Sequence, residues 1–283
     1  MQRHPYFDLW LHDDEELASP AGGEIVERVT LHEWPLSCVQ RLTLADGRRL
    51  IYKTQYGPTV EPDVYARARS GLLPWAETIY RADGHACMLI EFVDAPMFED
   101  LHPSEGEAVR TGREVLARIA EIDGERPHYI DIGDQARWAA YVEAMLGELR
   151  GLVERGAFTV TTPETVHRLA RCAQSEPVLA AIEARPGYVH RDLSADNVLV
   201  MPDGGYRVID WQRPSLGPTD LDLVDLLNSL GYDPLHHVAP GVVQVWLLLS
   251  IGWLTEAKAR WFPEGESYDR EVADLAQRLP RQT

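Results

Sequence analysis

The stretch Tyr188–Trp211 reads YVHRDLSADNVLVMPDGGYRVIDW, and the rest of the chain is best read outward from it. Pro202, Asp203, Gly204 and Gly205 form a turn between two apolar arms, Val198–Met201 and Tyr206–Ile209. Such arms around a glycine-containing turn predict two short antiparallel strands. Symmetric pairing sets Met201 against Tyr206, Val198 against Ile209 and Asn197 against Asp210. An amide oxygen and a carboxylate then meet at the open end of the hairpin, a pair of hard oxygen donors suited to Mg²⁺. Asp192 stands in the loop just before it, a carboxylate able to serve as a base.

The composition frames what such a site can belong to. A chain of 283 residues can bury a sizeable core, as one large domain or two lobes. Its 45% hydrophobic and 25% charged residues are ordinary for a globular protein. The 45 acids against 27 bases give a net charge of −18. That surface repels nucleic acid and anionic membrane, so neither is an expected partner, and it favours cationic ligands. Its simplest reading is solubility. Cys38, Cys87 and Cys172 have no metal-ligand spacing and are odd in number, which suits reduced thiols in a cytosol. The start, MQRHPYFDLWLHDDEE, turns acidic with no apolar run behind its basic residue, so no signal peptide and a cytoplasmic location are expected. Val242–Leu254 is the most hydrophobic stretch, but it is too short to span a bilayer and contains Gln244, Ser250 and Gly252. A core helix is expected there.

Along the chain, residues 1–23 look irregular. Three β-type runs follow (EIVERVTL, CVQRLTL and RRLIYKT), with a loop at His32–Ser37 and a hairpin at Ala45-Asp46-Gly47. A helix is expected from about Pro62 to Ser70, then strands at Glu77–Tyr80 and Ala86–Val93. Beyond Pro96 the pattern turns helical. Ser104-Glu-Gly-Glu is a capping box with Val109, Leu116, Ile119 and Ile122 behind it. Long helices are expected over Asp134–Arg155 and Thr162–Ala184, a helix from about Thr219, and two more around Val242–Phe262 and Tyr268–Leu279. This predicts an α+β chain. Residues 1–93 would be a small β-rich N-lobe that binds nucleotide, and 94–283 a larger, mainly helical C-lobe with the catalytic loop and acceptor site.

His190-Arg191-Asp192, four residues and then Asn197 resemble the H-R-D-x-x-x-x-N catalytic loop of the protein-kinase fold. Asp210 stands where that fold carries its metal-binding Asp, and Lys53 where it keeps a phosphate-binding lysine. The departures from protein kinases narrow the branch. Ser194 replaces a lysine, Ile209-Asp210-Trp211 replaces D-F-G, the LHEWPLS loop has no glycine, and no A-P-E follows. These features resemble the aminoglycoside phosphotransferase and choline kinase-like family, over roughly Glu24–Leu227.

The resemblance implies roles. Asp192 would accept or orient the proton of a substrate hydroxyl, and Asn197 and Asp210 would hold Mg²⁺ on the phosphates of ATP or GTP. Lys53 would pair with the α/β-phosphates, braced by Glu61, with Asp63 or no partner as the alternatives. Ser37 and the loop around it would cover the phosphates. Ile90 would sit behind the base, with the Glu91 carbonyl and Val93 N–H at its edge. Asp222 would brace the catalytic loop, whereas Asp220 and Asp225 read as solvated helix acids. Trp138 and Trp211 read as packing residues. Arg191 has no assigned role. The acceptor is a small molecule with a hydroxyl, for which the acidic surface favours a cation such as an aminoglycoside or an amino alcohol. The acceptor itself and the choice between ATP and GTP carry no signature. The competing readings are a protein kinase and a nucleotide-binding pseudokinase or regulatory module. The first is opposed by Ser194 and the short segment after Asp210, the second by the intact set of Lys53, Asp192, Asn197 and Asp210.

Overall fold

The structure, a computed structural model, describes residues 1–184, 186–265 and 267–280. It resolves into two compact units. The first comprises Met1–Pro103, Ala117–Tyr129 and Ala195–Pro214; the second comprises Ser104–Leu116, Ile130–Ser194 and the chain from Ser215 onward.

The first unit is built on a five-stranded antiparallel sheet. Its strands lie in the order Ile25–Trp34, Ser37–Leu44, Arg49–Tyr56, His85–Glu91 and Ala76–Ala82. Arg49–Tyr56 is therefore the central strand. Alternation along it divides the sheet's faces. Tyr52 and Thr54 face the N-terminal segment, where the Tyr52 hydroxyl accepts from the His12 N–H (3.1 Å) and the Thr54 hydroxyl donates to the Trp10 carbonyl (2.8 Å). Lys53 projects to the other face.

The N-terminal segment is not irregular. Asp14–Ala21 is a helix with a reciprocal capping box between Asp13 and Glu16, ended by Gly22 at φ 71°. The acid-rich HDDEE run holds that capping signal. Leu17 and Ala21 of this helix pack into one cluster with Leu9, Leu11, Cys38, Leu42, Leu44, Tyr52, Cys87 and Leu89.

The Val198–Val200 and Tyr206–Val208 strands form the expected hairpin, but they belong to this first unit, so a boundary at residue 93 does not separate the units. Backbone bonds explain the placement. The Phe98 N–H donates to the Val198 carbonyl (2.7 Å), Val200 to Pro96 (3.0 Å) and Val208 to Leu72 (2.8 Å). The register is also one residue off the symmetric expectation: Val198 faces Val208 and Val200 faces Tyr206. Gly204 takes a left-handed backbone (φ 82°), and Met201 and Gly205 close the turn through a 2.9 Å bond. The loop thus has three residues rather than four, the form that places an αL residue last.

The second unit is mainly helical, with a three-stranded sheet in which Ser215–Pro218 lies between Ile130–Asp131 and Pro186–Val189. Its helices are most of Glu105–Ala120, then Gln135–Glu154, Pro163–Ala173, Glu176–Ala184, Leu221–Ser229, Pro240–Arg260 and Ser267–Arg278. The single helix expected over Thr162–Ala184 is two. The Ser175 carbonyl starts the second by accepting from the Leu179 N–H (3.0 Å), and Pro177 fits only its first turn. The Ser104–Glu107 capping box is present, although Val115 rather than Leu116 is the buried residue behind it.

Pro240–Arg260 is apolar nearly all round and buried along most of its length, as a core helix should be. No helix of the described residues is long and apolar enough to cross a membrane. At its start, Gly241 lies so close to the Glu176–Ala184 helix that a Cβ would stand 1.9 Å from the Pro177 carbonyl oxygen. Gly241→Ala is therefore expected to lower stability by about 1–3 kcal/mol, the usual range for overpacking. Urea denaturation at equal protein concentration reads this as a lower midpoint with an unchanged slope.

Candidate active site

Lys53 reaches from the middle of the central strand to two carboxylates. Its Nζ lies 2.6 Å from Glu61 Oε2 and 2.5 Å from Asp210 Oδ1. Lys53 is 4% exposed and Glu61 fully buried. Burial works against the lysine's charge, but the Asp210 and Glu61 charges outweigh it and hold the ammonium well above its usual range. Burial pushes the Glu61 carboxyl up, and the Lys53 charge pulls it back.

Glu61 opens the Glu61–Arg67 helix, so one turn carries it to the lysine. Of the alternatives for the lysine's partner, Asp63 is committed elsewhere, in a two-pronged bond to Arg81 (2.9 and 2.8 Å). The Val60 N–H donates to the Gln212 carbonyl (3.1 Å), which ties the start of that helix to the segment after Asp210.

Asp210 follows the hairpin's second strand. The Ile209 N–H donates to the Asn197 carbonyl (3.1 Å), so Asn197 is opposite Ile209 and Asp210 lies one residue further on. Asp210 takes a left-handed backbone (φ 67°), uncommon for a residue with a side chain, and its carbonyl accepts from the Gln212 N–H (2.8 Å). Trp211 is fully buried and donates its indole N–H to the Val208 carbonyl (2.9 Å), a packing role that pins this bend.

Two carboxylates share the Lys53 ammonium here, and Asn197 stands on the facing hairpin strand, opposite the residue before Asp210. That donor set fits Mg²⁺, which takes one or two protein oxygens and completes its shell with phosphate and water. Among the described residues no three His, Cys, Asp or Glu side chains come together as an all-protein cation cage.

The second unit carries the loop His190–Ser194. Strand Pro186–Val189 delivers it, and Asp222 on the Leu221–Ser229 helix holds it. The Asp222 carboxylate accepts from the His190 and Arg191 backbone N–H groups, both at 2.8 Å. This is the bracing role expected of Asp222. Burial, with help from the neighbouring Asp225 charge, pushes the Asp222 carboxyl up to about 7. Arg191 itself is left-handed (φ 71°), His190 is fully buried, and Asp192 is exposed.

Asp225, expected to be solvated, is not: it bonds the Trp246 indole N–H (2.5 Å). Asp220, just before the helix, is part-exposed and pairs with Arg113 at the surface. The position of Asp225 on a helix gives a period but not what packs against each face, so the sequence could not distinguish it from a surface acid.

The remaining expected nucleotide contacts all lie in the first unit. His32–Trp34 continue a strand and the connection is the two-residue turn Pro35–Leu36, since Trp34 pairs with Ser37. Ser37 is buried and its hydroxyl accepts from the Trp34 indole (2.7 Å). Ile90 is buried in the strand next to the central one, facing Ile51. Glu91 ends that strand: its N–H donates to the Trp75 carbonyl (2.8 Å) and its carboxylate accepts from the Trp75 N–H (3.1 Å). Val93 is half-buried beyond it, and its carbonyl accepts from Ala95 (3.0 Å). The structure thus brings Lys53, Glu61 and Asp210 together, with Asn197 beside them along the hairpin.

Residues 62–262 match the APH phosphotransferase enzyme family, most of the chain's length, and the protein belongs to that family. Solved structures share its fold. A thermostable mutant of aminoglycoside phosphotransferase APH(4)-Ia superposes with a TM-score of 0.65 at 17% identity, over 94% of this chain and 98% of that one. A choline/ethanolamine kinase family protein from Mesorhizobium loti gives 0.59 at 16%, over 90% and 88%. Spectinomycin phosphotransferase APH(9)-Ia, solved with ADP and spectinomycin, gives 0.54 at 13%, over 95% and 99%.

The charge balance around Lys53 can be tested on stability alone. Lys53→Met leaves Glu61 and Asp210 without their counter-charge and is expected to cost about 3 kcal/mol. Adding Glu61→Gln should recover more than half of that loss, because it removes the more deeply buried acid. Urea denaturation of the two variants and the parent reads both values.

Proposed function

We propose that this phosphotransferase moves the γ-phosphate of ATP or GTP to a hydroxyl of a small molecule. The observation that carries the reading is the buried Lys53 between Glu61 and Asp210, at 2.6 and 2.5 Å. A lysine held so rigidly serves as a fixed positive charge, and phosphoryl transfer needs fixed charges more than covalent chemistry. In this reading Lys53 binds the α/β-phosphates, and Asn197 and Asp210 hold Mg²⁺. Bound there, Mg²⁺ supplies neutralisation of phosphate charge. Glu61 keeps the lysine oriented.

Asp192 is the base. Its exposed carboxylate, on a loop whose flanking N–H groups are fixed by Asp222, orients the acceptor hydroxyl and takes up its proton. The base of the nucleotide lies against Ile90, with the Glu91 carbonyl and Val93 N–H at its edge, while Ser37 belongs to the turn that covers the phosphates. The domain roles follow, with nucleotide binding by the first unit and acceptor binding by helices of the second. The net charge of −18 supports a cationic acceptor, an aminoglycoside or an amino alcohol.

A thermal-shift panel of such compounds finds candidates, since a ligand of the native state raises its apparent stability. Candidates are then assayed with Mg-ATP and Mg-GTP. The expected result is transfer to at least one hydroxyl compound, reduced at least a hundredfold in Asp192→Ala with the nucleotide KM within about threefold, as befits loss of a general base. Equal transfer by Asp192→Ala and parent would overturn the mechanism.

A further inference from the structure

Gln55 follows Lys53 by two positions on the central strand and is 2% exposed. Alternation puts its side chain on the lysine's face, since Tyr52 and Thr54 take the other one. The sheet register places it more finely. Gln55 stands opposite Ser37 on one neighbouring strand and Ala86 on the other. In the same way Lys53 stands opposite Val39 and Met88, and Ile51 opposite Ile90. Directly opposed residues share a face. That face therefore carries three rows in order: Ile51 with Ile90, then Lys53, then Gln55 with Ser37. Successive rows are about 7 Å apart, twice the rise per residue of a strand.

Both polar atoms of the Gln55 amide are buried, and neither makes a hydrogen bond. Glu61 is its charged neighbour. Burial pushes the Glu61 carboxyl up, and Lys53 and, more weakly, Gln55 pull it back, but the amide does not meet the acid in hydrogen-bond geometry. Glu61 is held instead by the Lys53 ammonium at 2.6 Å. A buried amide without a partner is rare in native proteins and costs stability. An apolar side chain of the same length would fill the position without that cost. The amide therefore calls for a partner from outside the chain.

The order of the rows says which partner. In the nucleotide-binding reading given above, on which this inference rests, the base lies at the Ile90 row and the α/β-phosphates at the Lys53 row. The next row then meets the terminal phosphate. We propose that Gln55 is a nucleotide-binding residue, its Nε2–H donating to an oxygen of the terminal phosphate and so favouring a nucleoside triphosphate over a diphosphate. Lys53 is enclosed almost as fully, at 4% exposed, so a phosphate that reaches the ammonium has the amide in the next row. A neutral amide adds a donor there without altering the charge balance of Lys53, Glu61 and Asp210.

Gln55→Met is the informative variant, because it removes the amide at nearly constant length and volume. Calorimetric titration of ATP, ADP, GTP and GDP with Mg²⁺ into the full chain is paired with thermal unfolding of the unliganded protein. For Gln55→Met, triphosphate affinity should fall about tenfold or more, as loss of a hydrogen bond to a charged group does, and diphosphate affinity should stay within about threefold of parent. The melting temperature should rise by about 2 °C or more, because an unpaired buried amide is gone. Binding and stability thus move in opposite directions, which a residue kept for packing does not produce. Gln55→Leu, the same deletion with a branched side chain, should repeat the selective loss of triphosphate binding. Parental triphosphate affinity in both variants would overturn the proposal, as would equal losses for triphosphate and diphosphate. A parent that binds no nucleotide at all would overturn the proposed function together with it, whereas a parent that binds and variants that bind equally well would overturn the role of Gln55 alone.

Discussion

The structure depends on a buried lysine shared by two carboxylates that are far apart in the sequence. Lys53 and Asp210 are 157 positions apart, yet their charged atoms lie at 2.5 Å. Lys53 and Glu61 could not be buried alone, since an isolated charge in a protein interior is strongly disfavoured; Asp210 keeps about a third of its side chain exposed. The ion cluster therefore holds three pieces of backbone together: the central strand, the start of the Glu61–Arg67 helix and the end of the hairpin. It also sets the local electrostatics, because the Lys53 ammonium meets the Glu61 and Asp210 carboxylates at 2.6 and 2.5 Å.

Around the other acid of interest the logic is different. Asp192 is exposed, and it stands on a loop whose backbone the protein holds. Asp222 does this with two hydrogen bonds at 2.8 Å and accepts a raised pKa from burial as the consequence.

Much of this was legible in the sequence, for reasons that can be traced to particular residues. The hairpin, the strand ending near Lys53 and the core helix at Val242–Leu254 all follow from local periodicity. Glu61 was legible because it opens the first helix after the lysine. The failures were equally local. The hairpin register slipped by one because Gly204, rather than the whole Pro202–Gly205 run, carries the left-handed turn residue. The first helix was hidden in a charged segment whose cap, Asp13 with Glu16, looks like plain acidity. The break at Ser175 needed Pro177 to be read as a helix start within one apolar pattern. Asp225 was misread because sequence shows a helix acid but not the Trp246 indole that bonds it. Tertiary partners are what spacing cannot supply.

The central claim is that the Lys53 cluster is a metal-nucleotide site. Calorimetric titration of ATP and GTP, with Mg²⁺ and with EDTA, into the parent and into Asp210→Asn tests it most directly. The account predicts that the parent binds at least one nucleotide at least tenfold more tightly with Mg²⁺, and that Asp210→Asn loses that dependence. A parent that binds neither nucleotide, or an Asp210→Asn variant with the parental Mg²⁺ dependence, would contradict it.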